Sequence, residues 1–198
     1  MAGDVWSRPP KRLDLAPQMG YKRAMNRRWK IAVGTWLNRE VLRGWLLFAL
    51  YTLAFFGFLY GFDRQVVDPF TRWIAQLTTL VLTLTGTPAW AAGKVVETPG
   101  FSVAIQNNCN AIYETALFIA AVLAYPATWR QRSWGVALGF VVLYLLNLVR
   151  VLSLIYVGSH FRQYFYVSHI YVWQSLFIVF ALGLWVYWSG TVARHPGR

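Results

Sequence analysis

Cysteine, histidine and acidic side chains are all scarce in this chain, and each scarcity closes off a class of function. The single cysteine, Cys109, rules out an intrachain disulfide. Three histidines and that one cysteine, scattered along the sequence, do not make a zinc cluster. Three methionines are too few for a copper-type array. The acids Asp63, Asp68, Glu97 and Glu114 are spread apart in sequence, which argues against a metal-dependent enzyme acting on lipid. No metal or cofactor is expected. Charged residues make up 13% of the chain, about half the share carried by a soluble globule. The first long apolar run begins near Leu46, too far from Met1 and too long for a cleaved signal peptide, so it reads as a signal-anchor helix.

What the chain does have is apolar surface. It is 57% hydrophobic and 18% aromatic, with eleven tryptophans suited to membrane-interface belts. Its 198 residues fit one domain behind a tail: 1–43 as a basic cytoplasmic region, 44–198 as a single membrane domain. Four segments, 44–62, 112–128, 134–157 and 170–189, approach the ~20 residues that cross a bilayer core. The expected fold is an all-α polytopic membrane protein. It has about four transmembrane helices, an amphipathic interfacial helix and a short extracytoplasmic β-hairpin.

Residues 1–27, with Pro9, Pro10, Pro17 and many Lys/Arg, read as a disordered basic tail. From 28 to 43, Trp29, Val33, Trp36, Leu37 and Val41 recur at helical spacing among Arg27, Arg28, Lys30 and Arg39. That pattern suits a basic amphipathic helix on anionic membrane lipids; a plain extension of the first span is the alternative. In 66–85, Val67, Phe70, Ile74, Leu77, Val81 and Leu84 follow helical spacing, opposite Asp68, Thr71, Arg72, Gln76, Thr79 and Thr83. The polar stripe predicts an interfacial or re-entrant helix; a fifth span with its polar face buried is the alternative. Gly86 ends it. Lys94–Glu97 and Phe101–Ile105 flank Thr98-Pro99-Gly100 and predict the hairpin.

Charge chooses between these layouts. Four spans place ten Lys/Arg from 1–43, with Arg130, Arg132, Arg194 and Arg198, on one side. Arg64, Arg72, Lys94 and Arg162 fall on the other, and Arg150 lies within a span. Positive residues gather on the cytoplasmic side, so both termini are expected there. A fifth span would reverse everything downstream. Much of the net charge of +12 therefore expresses topology, and no nucleic-acid partner is expected.

This topology brings three chemically capable residues to the outer leaflet. Cys109 follows Asn107 and Asn108 at the entrance of the second span. The helix dipole and a nearby arginine would favour its thiolate; a small apolar filler is the bland alternative. Arg150 lies near the outer end of the third span, with Asn147 on the same helix face. It is either a headgroup anchor or a functional cation. His169 opens the fourth span, and His160 in the preceding loop is its rival as a base. Cysteine, histidine and a cationic oxyanion donor are a workable set for acyl transfer. The competing reading is a non-catalytic assembly or transporter subunit, in which Arg150 and Asn147 make structural interhelical contacts.

Three segments carry a resemblance. They are Asn108-Cys109-Asn110-Ala111, Asn147-Leu148-Val149-Arg150-Val151, and His169-Ile170-Tyr171-Val172-Trp173-Gln174. In this order they resemble the exosortase/archaeosortase family, most closely its short exosortase H type, over about 42–188. The resemblance implies a membrane cysteine peptidase and transpeptidase of the bacterial inner (plasma) membrane, with an extracytoplasmic active site. Its partners would be substrate proteins ending in a short motif, a hydrophobic span and a basic tail. Carried over by position, Cys109 would be the nucleophile, Arg150 the stabilising cation and His169 the acid/base, with Asn108, Asn147 and Trp173 in support. One departure stands out: many relatives have glycine two residues after the cysteine, where this chain has Ala111.

Overall fold

The computed structural model describes residues 39–194, the side chain of Asn108 excepted. The expected tail and most of the expected helix over 28–43 lie outside these residues. The chain divides into two units between Arg43 and Gly44, and the second carries the sheet and the cysteine.

Helix α1, Arg39–Gly61, is apolar all round; Leu59 is buried, while Trp45, Leu46, Leu50 and Leu53 are exposed. An apolar face of that extent needs lipid or another partner to cover it. Among the described residues, three helical runs are long and apolar enough to cross a membrane: α1, Trp129–His160 (α4), and Arg162–Arg194, which ends in α5, Trp173–Arg194. The expected second span is shorter than its apolar run. Helix α3, Ile112–Ala124, has 13 residues, or ~20 Å against a core of ~30 Å. It stops because Tyr125 precedes Pro126 and turns extended, at ψ 139°. By helix length the described residues hold three crossings, and the expected fourth is short of a full span without the flanks of α3. The third expected span is longer than read, beginning at a capping box in which the Thr128 hydroxyl accepts from the Gln131 N–H.

Helix α2, Asp68–Leu84, is not among the crossing helices, and its buried side adds Thr71 and Thr78 to the apolar positions read from the sequence. Its buried side carries Thr71, Ile74, Ala75, Thr78 and Leu82, while Trp73, Leu80 and Leu84 are exposed. The threonines can turn inward because each hydroxyl bonds its own helix; those of Thr71 and Thr78 lie 2.8 Å from the Val67 and Ile74 carbonyls. Ile74 and Leu82 bury beside them, and Trp73, Leu80 and Leu84 are left facing outward.

The fold is helical with a small sheet, so the all-α description needs correction. The hairpin forms as read, from β2 (Val95–Thr98) and β3 (Phe101–Ala104), with Gly100 at φ +87° in the turn. A third strand, β1 (Trp90–Ala92), pairs antiparallel with β2, giving the order β1-β2-β3. Val96 and Ile105 pack the sheet region onto Ile74, Ala75 and Leu82 of α2 and onto Val151 and Ile155 of α4. On the other side, Phe118 and Val122 of α3 pack with Leu143 of α4 and Phe177 and Trp188 of α5.

One stripe of α4 organises the assembly. Gly135, Gly139, Leu143, Asn147, Arg150, Leu154 and Gly158 are buried at three- and four-residue spacing. A side chain at Gly139 would strike the ring of Phe118, and one at Gly158 the ring of Phe101. The helices and the sheet close onto the two ends of this stripe, leaving Asn147 and Arg150 at fixed heights between them. Gly139→Leu should therefore lower stability by roughly 1–3 kcal/mol through overpacking, read as the unfolding midpoint in detergent. Gly183→Leu, where an added side chain meets nothing within 4 Å, should leave that midpoint unchanged or higher.

Candidate active site

The cysteine is held by what precedes it. Strand β3 passes through Ile105, whose N–H bonds the Lys94 carbonyl at 2.9 Å, into a single 3₁₀ turn, Asn107–Cys109. The Cys109 N–H closes this turn on the Gln106 carbonyl at 2.8 Å. Asn107 ties the turn to the start of α2. Its Nδ2 donates to Asp63 at 3.0 Å and to Asp68 at 2.8 Å, and its Oδ1 lies 3.0 Å from the Thr71 hydroxyl. Lys94 closes the network with an ion pair to Asp68 at 2.8 Å. Lys94 and Asn107 together hold the Asp68 carboxyl below its ordinary range. Asp63 and Asp68, far from Cys109 in sequence, thus meet at its turn.

Asn110 and Ala111 link the turn to α3, and both are fully buried. Asn110 Nδ2 donates to the Thr71 hydroxyl at 2.7 Å, and its Oδ1 accepts from the Ile112 N–H at 2.9 Å. Ala111 sits in the left-handed region at φ 64°. Its side chain points away from open space, and only this unusual backbone lets the chain turn from the cysteine into the helix.

Two helices complete the site. Arg150, 2% exposed on α4, has Nη2 4.0 Å from Cys109 Sγ. His169 lies on a π-helical turn, Ser168–Val172, with its Nε2 3.3 Å from Sγ. Turns of this kind often occur at functional positions. The imidazole stacks on Phe165, ring centroids 6.0 Å apart at 11°. The three groups sit in a cavity of about 440 Å³ walled by β3, α4 and the segment leading into His169. That is within the usual range for a ligand site.

The structure therefore brings together Cys109, Arg150 and His169. It does not bring His160, which is exposed, has Nδ1 3.1 Å from the Tyr156 carbonyl and stacks on Tyr156. Asn147 is fully buried one turn from Arg150, but it does not line the cavity. Nor does the half-buried Trp173 at the start of α5. Asn108 lies on the cysteine turn, and its side chain is outside the described set. Asn107 is the neighbour that organises the turn. Its one sequence cue is an Asx residue just after a strand, a place where side-chain amides commonly fix turns. Among the described residues, no three His, Cys, Asp or Glu gather as metal ligands.

The thiol differs from expectation. Burial pushes Cys109 above the ordinary thiol range; Arg150 opposes this, and Glu114 adds to it. The first N–H of α3 goes to Asn110 rather than to sulfur. A neutral thiol at rest, with an imidazole nitrogen at hydrogen-bond distance, is a pair in which the base takes the proton as the sulfur attacks.

A family model described as Transmembrane exosortase (Exosortase_EpsH) matches residues 31–189. No curated protein and no solved structure matches the chain.

Two measurements follow from this geometry. Ala111→Gly should raise stability by up to about 1 kcal/mol, since a positive φ costs alanine more than glycine's extra unfolded-state entropy; Ala111→Val should lower it. Alkylation of Cys109 by iodoacetamide should show a pH midpoint above the ordinary thiol range. Arg150→Met should move that midpoint higher still, because burial then acts unopposed. A midpoint below that of unperturbed cysteine would contradict the geometry.

Proposed function

This chain belongs to the transmembrane exosortase family, and on that premise we propose that it is a membrane cysteine peptidase and transpeptidase. Its substrates are exported proteins ending in a short motif, a hydrophobic span and a basic tail. The observation that carries this reading is the 3.3 Å approach of His169 Nε2 to Cys109 Sγ, with Arg150 Nη2 at 4.0 Å, inside one cavity.

The chemistry follows from the roles available. As the Cys109 sulfur attacks the scissile carbonyl, its proton passes to His169 Nε2. Negative charge then develops on the carbonyl oxygen, and the Arg150 guanidinium beside the sulfur stabilises it. The imidazolium returns its proton to the leaving amine as the C–N bond breaks, leaving a thioester on Cys109. An incoming amine, or water, deprotonated by His169, resolves the thioester and restores the thiol.

Topology supports an outward-facing site in the plasma membrane with both termini cytoplasmic. Tyr125, just past α3, packs edge-on against Trp188, whose Nε1 donates to the Gln131 carbonyl near the start of α4 at 3.1 Å. Cys109, just before α3, meets Arg150 and His169. Between those two levels α4 and the last helical run each advance nineteen residues, from Gln131 to Arg150 and from His169 to Trp188. That is ~28 Å of helix, close to the thickness of the hydrocarbon core. In this reading α3 and its two flanks complete a fourth crossing. The basic residues then divide as the positive-inside rule requires.

Cys109→Ala should abolish cleavage of a co-expressed substrate while leaving membrane insertion unchanged. His169→Ala should slow cleavage by about 10²-fold or more, the usual scale for losing a general base. His160→Ala should have no effect. Full processing by Cys109→Ala would sink the proposal.

A further inference from the structure

Strand β3 is terminal in the sheet, and its outer edge opens into the cavity that holds Cys109. The phase of the ladder decides which groups that edge presents. Ile105 gives its N–H to Lys94, and Val103 and Phe101 pair with Val96 and Thr98. In an antiparallel pair the residues that bond the partner strand alternate with those that turn their main-chain groups away. Phe101, Val103 and Ile105 therefore face β2, while Ser102 and Ala104 direct N–H and C=O outward. Among the described residues, no hydrogen bond reaches the outward main-chain groups of Ser102 or Ala104. Both residues are exposed.

Open edges of this kind attract other strands, and folded proteins usually blunt them with lysine, proline or a bulge. The segment Phe101–Ala104 has none of these. All its residues line the cavity, as do the next two, and the chain then enters the cysteine turn directly. The other edge of the sheet, β1, does not line it. A run from Phe101 to Ile105 spans ~13 Å of extended chain, enough to pair with several residues of a peptide whose next bond reaches Cys109.

We infer that the substrate's main chain adds as a fourth strand along the open edge of β3, beside the scissile bond. This rests on the peptidase reading above and specifies how that peptidase holds its substrate. The sheet is then part of the binding site: it supplies alternating donors and acceptors that fit any extended backbone. Side-chain selection falls to the cavity wall opposite. Because Cys109 is a rigid turn away from Ala104, pairing fixes the register of the bond offered to the sulfur.

The test exploits the single cysteine. Cys109→Ala removes the only thiol in the chain, so Ser102→Cys in that background can be oxidatively cross-linked to single cysteines placed along a reporter. The reporter is a protein carrying a C-terminal signal that the wild-type chain cleaves. Strand addition predicts cross-links at alternate reporter positions near the cleavage site, at least about fivefold stronger than at intervening ones, because neighbouring residues point to opposite faces. In the otherwise unaltered chain, Ser102→Pro removes an outward N–H without touching the ladder. It should raise KM by about tenfold, the upper end of the effect of one lost main-chain hydrogen bond. kcat and the alkylation rate of Cys109 should stay within about twofold. Cross-links without a two-residue period, no cross-links, or an unchanged KM overturns strand addition. Cleavage by Cys109→Ala alone would instead overturn the peptidase reading, so the two failures are distinct.

Discussion

A guanidinium buried in an apolar helix is the constraint around which this molecule is arranged. Arg150 is only 2% exposed, and taking a guanidinium out of water is costly unless other groups compensate it. Its Nη1 has no hydrogen-bond partner among the described residues, while Nη2 faces sulfur. The stripe that carries Arg150 has Gly135 and Gly139 at one end and Gly158 at the other, so α3, α5 and the sheet close tightly above and below it. The result is a polar centre at one level of the bundle, with a cavity beside it.

The second requirement is a stiff mount for the cysteine. Cys109 is not in a helix, and a turn alone would leave its sulfur poorly placed. Asn107 and Asn110 anchor the turn from both sides of Cys109, to Asp63, Asp68 and Thr71 on the α2 side. Helix α2 turns two threonines inward, and Thr71 meets both asparagines. The same side of α2 buries Ile74, Ala75 and Leu82, so one helix face serves both the core and the cysteine turn. A cysteine pinned at this height can meet Arg150 from one helix and His169 from another.

Much of this was legible in the sequence. Long apolar runs gave α1, α4 and α5, and Thr98-Pro99-Gly100 gave the hairpin, because length and turn chemistry are local signals. Cys109, Arg150 and His169 could be grouped because topology and motif order put them on one level. What escaped depended on contacts distant in sequence. The burial of Thr71 on α2 goes with its bonds to Asn107 and Asn110, which an apolar period cannot reveal. Strand β1, Trp90-Ala91-Ala92, has little β pattern of its own and forms by pairing with β2. The length of α3 was overread because apolar character continues past Ala124 while Pro126 ends the helix. The expected low-pKa thiolate gave way to a buried thiol, since burial is a property of the packed fold.

These elements give one account: a helical bundle that holds a buried thiol, an imidazole and a guanidinium together in a cavity edged by the terminal strand of the sheet. Its central claim is that Cys109 carries the substrate as a thioester. The most direct measurement is mass spectrometry of the chain quenched in acid during turnover of a processed substrate. The account predicts a hydroxylamine-labile adduct on the peptide containing Cys109, with the mass of the cleaved substrate. Turnover with Cys109 unmodified throughout, or an adduct on another residue, would contradict it.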